Sequence, residues 1–535
     1  MSPEAPRLHP RSPAEGDTLA AALVAGGEEA RRLLPEGRLT PGPAAADPDG
    51  LPDPGPGRLP APALRASDDV TRQRAEAALE GEGVFVTTGQ QPLLFGGPLY
   101  VLYKALTAAA VAREITEAGT PAVALFWVAG DDHDWDEVGR TRILDTSNRL
   151  HEVRVEPPAE RAGRAVGPSP LPGTIAERID EFSEHLPSSE FVGDYLELLR
   201  DAWQPGRSFS EAFGRTLEGL IGGRGIAWLD ASDPAVRGAE APLFRRVLEE
   251  PGEVEDRLAR GTRRVREGGW SSQVDPREGT LPLFVDTPGG RRRLHRSADG
   301  FRIGRQGGEV SAESLVDELE ARPERFSPDV ALRPVASCWL LPTAVTVLGP
   351  AETAYWAQLP ELFDWAGVPF PRLRPRDGWV VIEAKVEKVL GKLDAGPDDL
   401  ADGGRALARA VREEGRPEAV DRALSEARAE VGRALGAVEE AVGRELPGIR
   451  SAVGAARHQA FEVLDGLASA VDDRVEEQHS VVLAQIRKAA RHLRPDGRPQ
   501  ERVLSPFYYL ARYGDSFLER VDRETRRRAR PEGTG

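Results

Sequence analysis

The stretch GVFVTTGQQPLLFGGPLYVLYKALTAAAVAREITEAGTPAVALFWVAG, Gly83 to Gly130, passes through three kinds of local order. It opens on a short β-rich run that ends in glycine, turns through Gly96, Gly97 and Pro98, and continues with a helical spacing of apolar residues that stops at Gly119. It closes on PAVALFWVAG, an apolar run with no polar face. The pattern is strand, helix, strand. A second strand that is apolar on both faces needs cover on both faces, which implies a parallel sheet sandwiched by helices. In such sheets ligands gather beyond the carboxyl ends of the strands.

Two unusual stretches lie at those ends. In TTGQQPLLFGGP the glycines Gly89, Gly96 and Gly97 let the backbone approach a ligand, and the following helix offers unpaired N–H groups to an anion. The spacing is neither a Walker A loop nor the dinucleotide fingerprint. Thr88, Gln90 and Gln91 add paired donors and acceptors suited to a polyhydroxylated or carboxylated ligand. Lys104, about two turns into the helix, either reaches back to the turn or is a surface lysine lying along its own helix. Behind the second strand, GDDHDWDE supplies Asp131, Asp132, His133, Asp134 and Asp136. These either bind a divalent ion, orient His133 as a general base beside a carboxylate, or form a solvated acidic cap on a helix.

GIAWLDAS from Gly225, CWLLPTAVTVLGP from Cys338 and VPFPRLRPRDGWVVIE from Val368 read as further strands of the same sheet, the last toward its edge. GPAETAYWAQL from Gly349 again follows an apolar strand and sets Glu352 and Tyr355 on the first turns of a helix. Arg333 and Arg376 flank it, suited to a carboxylate or phosphate. Tyr100 and Trp127, beside the two opening turns, complete the set of candidate ligand contacts, and no set of metal ligands is assigned. Cys338 reads as a small buried apolar residue.

The expected partition is a Pro/Gly-rich arm over 1–67, core segments at 68–150, 206–242 and 329–382, and insertions at 151–205 and 243–328. A helical coiled coil follows over 383–492, and 493–535 returns to the core. The second insertion carries TLPLFVD and RRRLHRSADGFRIG, so it reads as partly β. In the coiled coil Val420, Leu424, Ala427, Val431, Leu435, Val438 and Val442 form a three-four stripe too long for one returning arm to cover. Pro447 and Gly448 are expected to kink this hairpin, and DAGPDDLADGG from Asp394 to join its arms.

A net charge of −17 disfavours nucleic acid as a partner. No run approaches a membrane span, and LAAALVAG from Leu19 lacks the basic flank of a signal peptide. One cysteine excludes an intrachain disulfide framework and suits a reducing cytoplasm.

Four segments in order, TGQQPLLFGGPLYVLYK, FWVAGDDHDWDE, ALRPVASCWLLPTAVTVLGPAETAYWAQL and QERVLSPFYYLARYG, resemble the bacillithiol biosynthesis cysteine-adding enzyme family over about residues 75–520. The resemblance implies an α/β fold: a Rossmann-like core related to class I nucleotidyl-transferring synthetases, with inserted connective subdomains and a C-terminal coiled coil that forms a homodimer. It implies a ligase joining L-cysteine to the amine of glucosaminyl-malate, with ATP and Mg²⁺ for activation. Thr88 to Gly97 and Lys104 would then cradle phosphates, and His133, Asp132 or Asp134 would deprotonate the amine. Where the family leads one to expect a Gln-acid pair before LLPT this chain has Ser337 and Cys338, and where a threonine is expected before Gly-Pro it has Gly96; no KMSKS-like loop is present. A non-catalytic dimeric scaffold and a metal-dependent hydrolase are the competing readings of the same residues.

Overall fold

The computed structural model describes residues 5–529 apart from 17, 40–54, 159–160, 162 and 306. The chain divides into two compact units, one built from residues 1–380 and 501–535, the other from 381–500.

The first unit is organised by a six-stranded sheet. Its strands in chain order are β1 (Arg65–Ala66), β2 (Val84–Gln90), β3 (Ala122–Val128), β4 (Ile226–Asp230), β5 (Thr343–Leu348) and β6 (Arg372–Pro375). Across the sheet they run β6-β5-β2-β3-β4-β1, parallel except for β1 at the edge. Helix α1, Leu99–Glu117, is the crossover from β2 to β3, and its Ala108–Ala110 run is buried. All seven residues of β3 are buried, as a strand covered on both faces requires. The strand–helix–strand reading therefore holds.

CWLLPTAVTVLGP departs from expectation at its start. Cys338 lies in a helix, Leu332–Leu340, and the strand begins only at Thr343. Pro342 is the cause, because it forces Leu341 into extended backbone (φ −125°, ψ 132°) and so ends the helix before it. The 368–383 stretch splits likewise: Arg372–Pro375 is the sheet edge, and Trp379–Ile382 is a separate strand outside that sheet.

The second insertion folds as a five-stranded antiparallel sheet of Glu309–Val310, Phe301–Ile303, Gly290–Arg296, Thr280–Thr287 and Phe326–Pro328. Residues 40–54 of the Pro/Gly-rich arm lie outside the described residues. Before them Leu39 bridges to Leu373, and beyond them the Gly57 N–H donates to the Trp339 carbonyl oxygen. A Cβ on Gly57 would sit 2.4 Å from the Trp339 ring, so only glycine fits there.

After residue 500 the chain re-enters the first unit. The Leu99 N–H donates to Leu504 O, Ser505 N–H donates to Arg142 O, and Tyr508 and Tyr509 are fully buried. The helix Asp515–Ala529 packs along α1.

The second unit is helical. Two long helices, Glu418–Glu445 and Arg450–Gln478, run against each other, tied by Arg457 to Glu439 at 3.4 Å and by Arg428 to Asp465. The turn between them falls at Pro447–Ile449. Pro447 and Gly448 thus make the hairpin tip instead of a kink, and the DAGPDDLADGG stretch precedes the hairpin, linking Ala384–Lys392 to Arg405–Gly415. Periodicity cannot tell a turn from a kink when the apolar stripe resumes on the far side.

Candidate functional site

The carboxyl ends of β5, β2 and β3 are adjacent, and one chain of polar contacts crosses all three. It begins at Glu352, in the first turn of helix Pro350–Trp356, whose Oε2 accepts the Gly349 N–H at 2.6 Å and lies 2.5 Å from Lys104 Nζ. Lys104 also donates to the Gly89 carbonyl at 2.7 Å and to Gln90 Oε1 at 3.0 Å. Gln90 Nε2 donates to Gln91 Oε1 at 3.0 Å, and Gln91 Nε2 donates to Asp132 and, at 3.3 Å, to Glu137. Five residues singled out from sequence, Glu352, Lys104, Gln90, Gln91 and Asp132, are thus joined in the structure.

The role of Lys104 differs from the expected phosphate contact. Its side chain is 3% exposed, and the three donors of the ammonium are spent on Gly89, Gln90 and Glu352. Burial lowers its pKa and the Glu352 carboxylate opposes that fall. It is a tie between strand ends. The α1 N-terminus is likewise closed: Leu99 is buried, its N–H is taken by Leu504, and a Cβ on Gly97 (φ +73°) would meet Leu93 at 2.7 Å. The turn and lysine expected to cradle phosphates are instead taken up by protein partners. Gly96, also left-handed at φ +78°, faces Thr216. Thr88 is structural, its hydroxyl donating to Val347 O at 2.9 Å.

The acidic turn separates into distinct jobs. Asp131 is buried and paired with Arg237, which also holds Glu240. Burial pushes the Asp131 carboxyl up, but Arg237, Arg291 and Arg333 outweigh it and hold it below the usual range. Glu240 is driven up to about 7 by burial despite Arg237, so the two carboxyls that share one guanidinium titrate apart. Asp132 accepts from Gln91 and from the His133 backbone N–H at 2.7 Å. Burial raises its pKa while these hydrogen bonds bring it below the ordinary value. Asp134 caps the short helix Trp135–Val138 through the Glu137 N–H at 3.1 Å, so the helix-cap reading is right for that residue. His133 is half exposed, with Nδ1 3.6 Å from Asp132 Oδ1, and Asp136 is exposed.

Tyr100, half-buried on α1, has its hydroxyl pKa raised by burial and by Glu137 and Glu352. Burial does the same for Tyr355 beside Glu352. Trp127 packs in the core of the sheet. Arg376 is not open to a ligand: it forms a bidentate pair with Glu501 at 2.8 and 2.6 Å, both side chains being buried. Arg333 is the opposite case. Its Nε is buried without a hydrogen-bond partner among the described residues, within Coulombic reach of Asp131 and Asp132. Burial pushes the Cys338 thiol up to about 12, which leaves it without nucleophilic character. Among the described residues no three of His, Cys, Asp and Glu converge as metal ligands.

Arg237, Glu240, Arg291 and Glu501 were not singled out from sequence. The signal available for the first two was a charge pair three residues apart in PAVRGAEAP, on a helix whose other inward residues are apolar.

The model of the family described as Bacillithiol biosynthesis BshC, N-terminal Rossmann-like domain, matches residues 63–377, and that of its C-terminal coiled-coil domain matches 379–525. A relative from Salinibacter ruber named "Putative cysteine ligase BshC" is 34% identical over 454 residues, covering 84% of this chain and 82% of its own. Relatives of the same name from Symbiobacterium thermophilum and Bacillus anthracis are 30% and 27% identical, over 475 and 456 residues, covering 85% of this chain and 84% of theirs in each case.

Proposed function

Since the chain belongs to the bacillithiol biosynthesis BshC family, we propose that it is a ligase joining the carboxyl of L-cysteine to the amine of glucosaminyl-malate, the last step toward bacillithiol. The observation that carries this reading is the continuous polar chain from Glu352 through Lys104, Gln90 and Gln91 to Asp132, which ties three adjacent strand ends together. Such an arrangement holds its donors and acceptors in place before a polyhydroxylated substrate arrives, which is how positioning lowers a barrier.

In this reading His133 takes the proton released when the substrate ammonium becomes a nucleophilic amine. Asp132, held by Gln91, stands beside that imidazole, its Oδ1 3.6 Å from Nδ1. Arg333, with an unspent buried N–H, receives a substrate carboxylate. Activation of the cysteine carboxyl is proposed on chemical grounds: oxide is a poor leaving group, and ATP with Mg²⁺ supplies a better one. No step is assigned to Lys104 or the glycine turn for that purpose, because both are closed by protein partners.

The reading carries with it a cytoplasmic location, where a free thiol product stays reduced; no described helix is long and apolar enough to cross a membrane. It also carries a homodimer formed by the helical hairpin.

The test is to incubate the purified protein with cysteine and glucosaminyl-malate, with and without ATP and Mg²⁺, and to follow the thiol product by mass spectrometry. Product formed only with ATP supports the full reading. Product without ATP moves activation elsewhere, and no product under either condition, in a protein whose gene deletion leaves cellular bacillithiol unchanged, overturns it.

A further inference from the structure

The five-stranded inserted sheet borders an open cavity of about 1410 Å³ that shares none of its lining residues with the polar chain at the strand ends. Its walls carry five arginines, Arg277, Arg291, Arg292, Arg293 and Arg305, with His295 among them, against four carboxylates, Asp275, Glu278, Glu309 and Asp329, of which Glu278 is exposed. In a chain of net charge −17 the overall field repels anions, so a site for one has to concentrate its arginines locally.

The balance of partners inside the cavity is uneven. Asp329 is taken by Arg293 at 2.7 Å and by the N–H groups of Ala331 and Leu332, Asp275 by Arg266 at 2.5 Å, and Glu309 faces Arg302 at 4.0 Å. Arg277, Arg292 and Arg305 pair with no carboxylate among the described residues. Arg291 and Arg293 both lie over the Phe284 ring, at 3.9 and 4.4 Å from its centre, so two guanidinium groups share one small region. Arg291 donates only to neutral oxygens, Ser327 Oγ at 2.9 Å and the Pro328 carbonyl at 2.8 Å. Three carboxylates lie within its Coulombic reach, Asp131, Asp132 and Asp286, and the first two are already engaged by Arg237 and Gln91. The side chains around His295 push the same way: burial and then Arg293, Arg305 and Arg302 lower its pKa.

We propose that this cavity is a second ligand site, which binds a small oxyanion carrying two or more negative charges on a partly apolar body. The charge is recognised by Arg277, Arg291, Arg292 and Arg305, and the body lies against Leu258, Val274, Ile303 and Val310. The volume exceeds the roughly 300–1,000 Å³ of a typical small-molecule pocket, so it has room for more than the anionic group. This site is separate from the ligase reading and does not depend on it.

Calorimetric titration of the full chain tests it, with inorganic pyrophosphate and with succinate as probes at low and at high salt. At least one probe is expected to bind, and to bind at least about tenfold more weakly at high salt, where ion pairing is screened. An Arg277→Ala/Arg305→Ala variant should weaken that binding by about tenfold or more; both residues are exposed, so the melting temperature should not move. Preference for pyrophosphate identifies a phosphate ester as ligand, and preference for succinate a polycarboxylate. The proposal is overturned if neither probe binds, or if binding survives intact in the double variant but is lost in Arg333→Ala, which would put the anion at the strand ends.

Discussion

Lys104, two turns into α1, and Glu352, in the first turn after β5, meet at 2.5 Å above the ends of strands that are neighbours in the sheet but far apart in sequence. The pair anchors the turn that carries Gln90 and Gln91. Removing either charge leaves the other in a poorly solvated place. Lys104→Met and Glu352→Gln should each cost about 2–4 kcal/mol, the lower side of the range for a buried pair because Glu352 is 24% exposed. The double variant should cost less than the sum. Denaturant unfolding of the four proteins checks this, and strict additivity would mean the two groups do not interact.

Gln91 and His133 are expected to matter for rate and not for folding. Gln91→Ala and His133→Ala should each lower turnover by roughly 10²-fold or more, the scale for a positioned acid-base group or its support. His133 is half exposed and touches only the neighbouring acid, so its melting temperature should stay near that of the parent. Undiminished product with normal folding would reduce the acidic turn to a helix cap.

Arg376 should behave as a structural residue. Arg376→Ala and Glu501→Gln are each expected to destabilise by about 3–5 kcal/mol, as breaking a fully buried bidentate pair does. Neither should raise the KM for substrate in the molecules that remain folded. A KM increase at unchanged stability would restore Arg376 to the ligand site.

Asp230, at the end of β4, has its pKa raised to about 6 by burial, against hydrogen bonds from Ser232 that lower it. Its folded value lies above the ordinary carboxylate value near 3.9, so the protonated form is favoured in the fold. The stability it contributes is present below about pH 4 and is lost as pH rises through about 6. Asp230→Asn keeps an oxygen for the Ser232 N–H and hydroxyl and cannot ionise. It should flatten that loss and be more stable at pH 7 by on the order of 2 kcal/mol. Parallel pH profiles of melting temperature would refute the assignment.

The helical hairpin leaves Val438 47% and Leu467 54% exposed, and no residue of Glu418–Glu445 is buried. A second copy is the proposed cover. Val438→Asp/Leu467→Asp should turn a dimer into a monomer in sedimentation at unchanged helix content; a dimer that persists would place the interface elsewhere.

The parallel core was legible because β3 is apolar on both faces and its flanking glycines mark where it stops. The site was legible as composition but not as connection. Lys104 read as reaching back to the turn or as a surface lysine, and its tie to Glu352 was not legible because Glu352 comes from the far side of two insertions and nothing local to either residue announces the other. Arg376 was misread for the same reason, its carboxylate being supplied by the C-terminal segment. Arg237 and Arg291 escaped notice because one sits in an ordinary amphipathic helix and the other in a run of arginines that reads as solvated surface. The helix over Cys338 was missed because an apolar run before a proline fits either state, and only tertiary packing chose between them.

The return of the chain after residue 500 sets an order on biosynthesis. Glu501 supplies the countercharge for Arg376, Leu504 occupies the first N–H of α1, and Thr525 accepts from the Trp379 indole at 3.2 Å. Every one of these groups leaves the ribosome after the whole helical unit has been made. A nascent chain therefore carries the α1 N-terminus uncapped and Arg376 without its countercharge until this last segment emerges. A chain that stops just before Glu501 should accordingly yield a polypeptide that chaperones retain and proteases clear, even though each residue of the candidate strand-end site is still encoded.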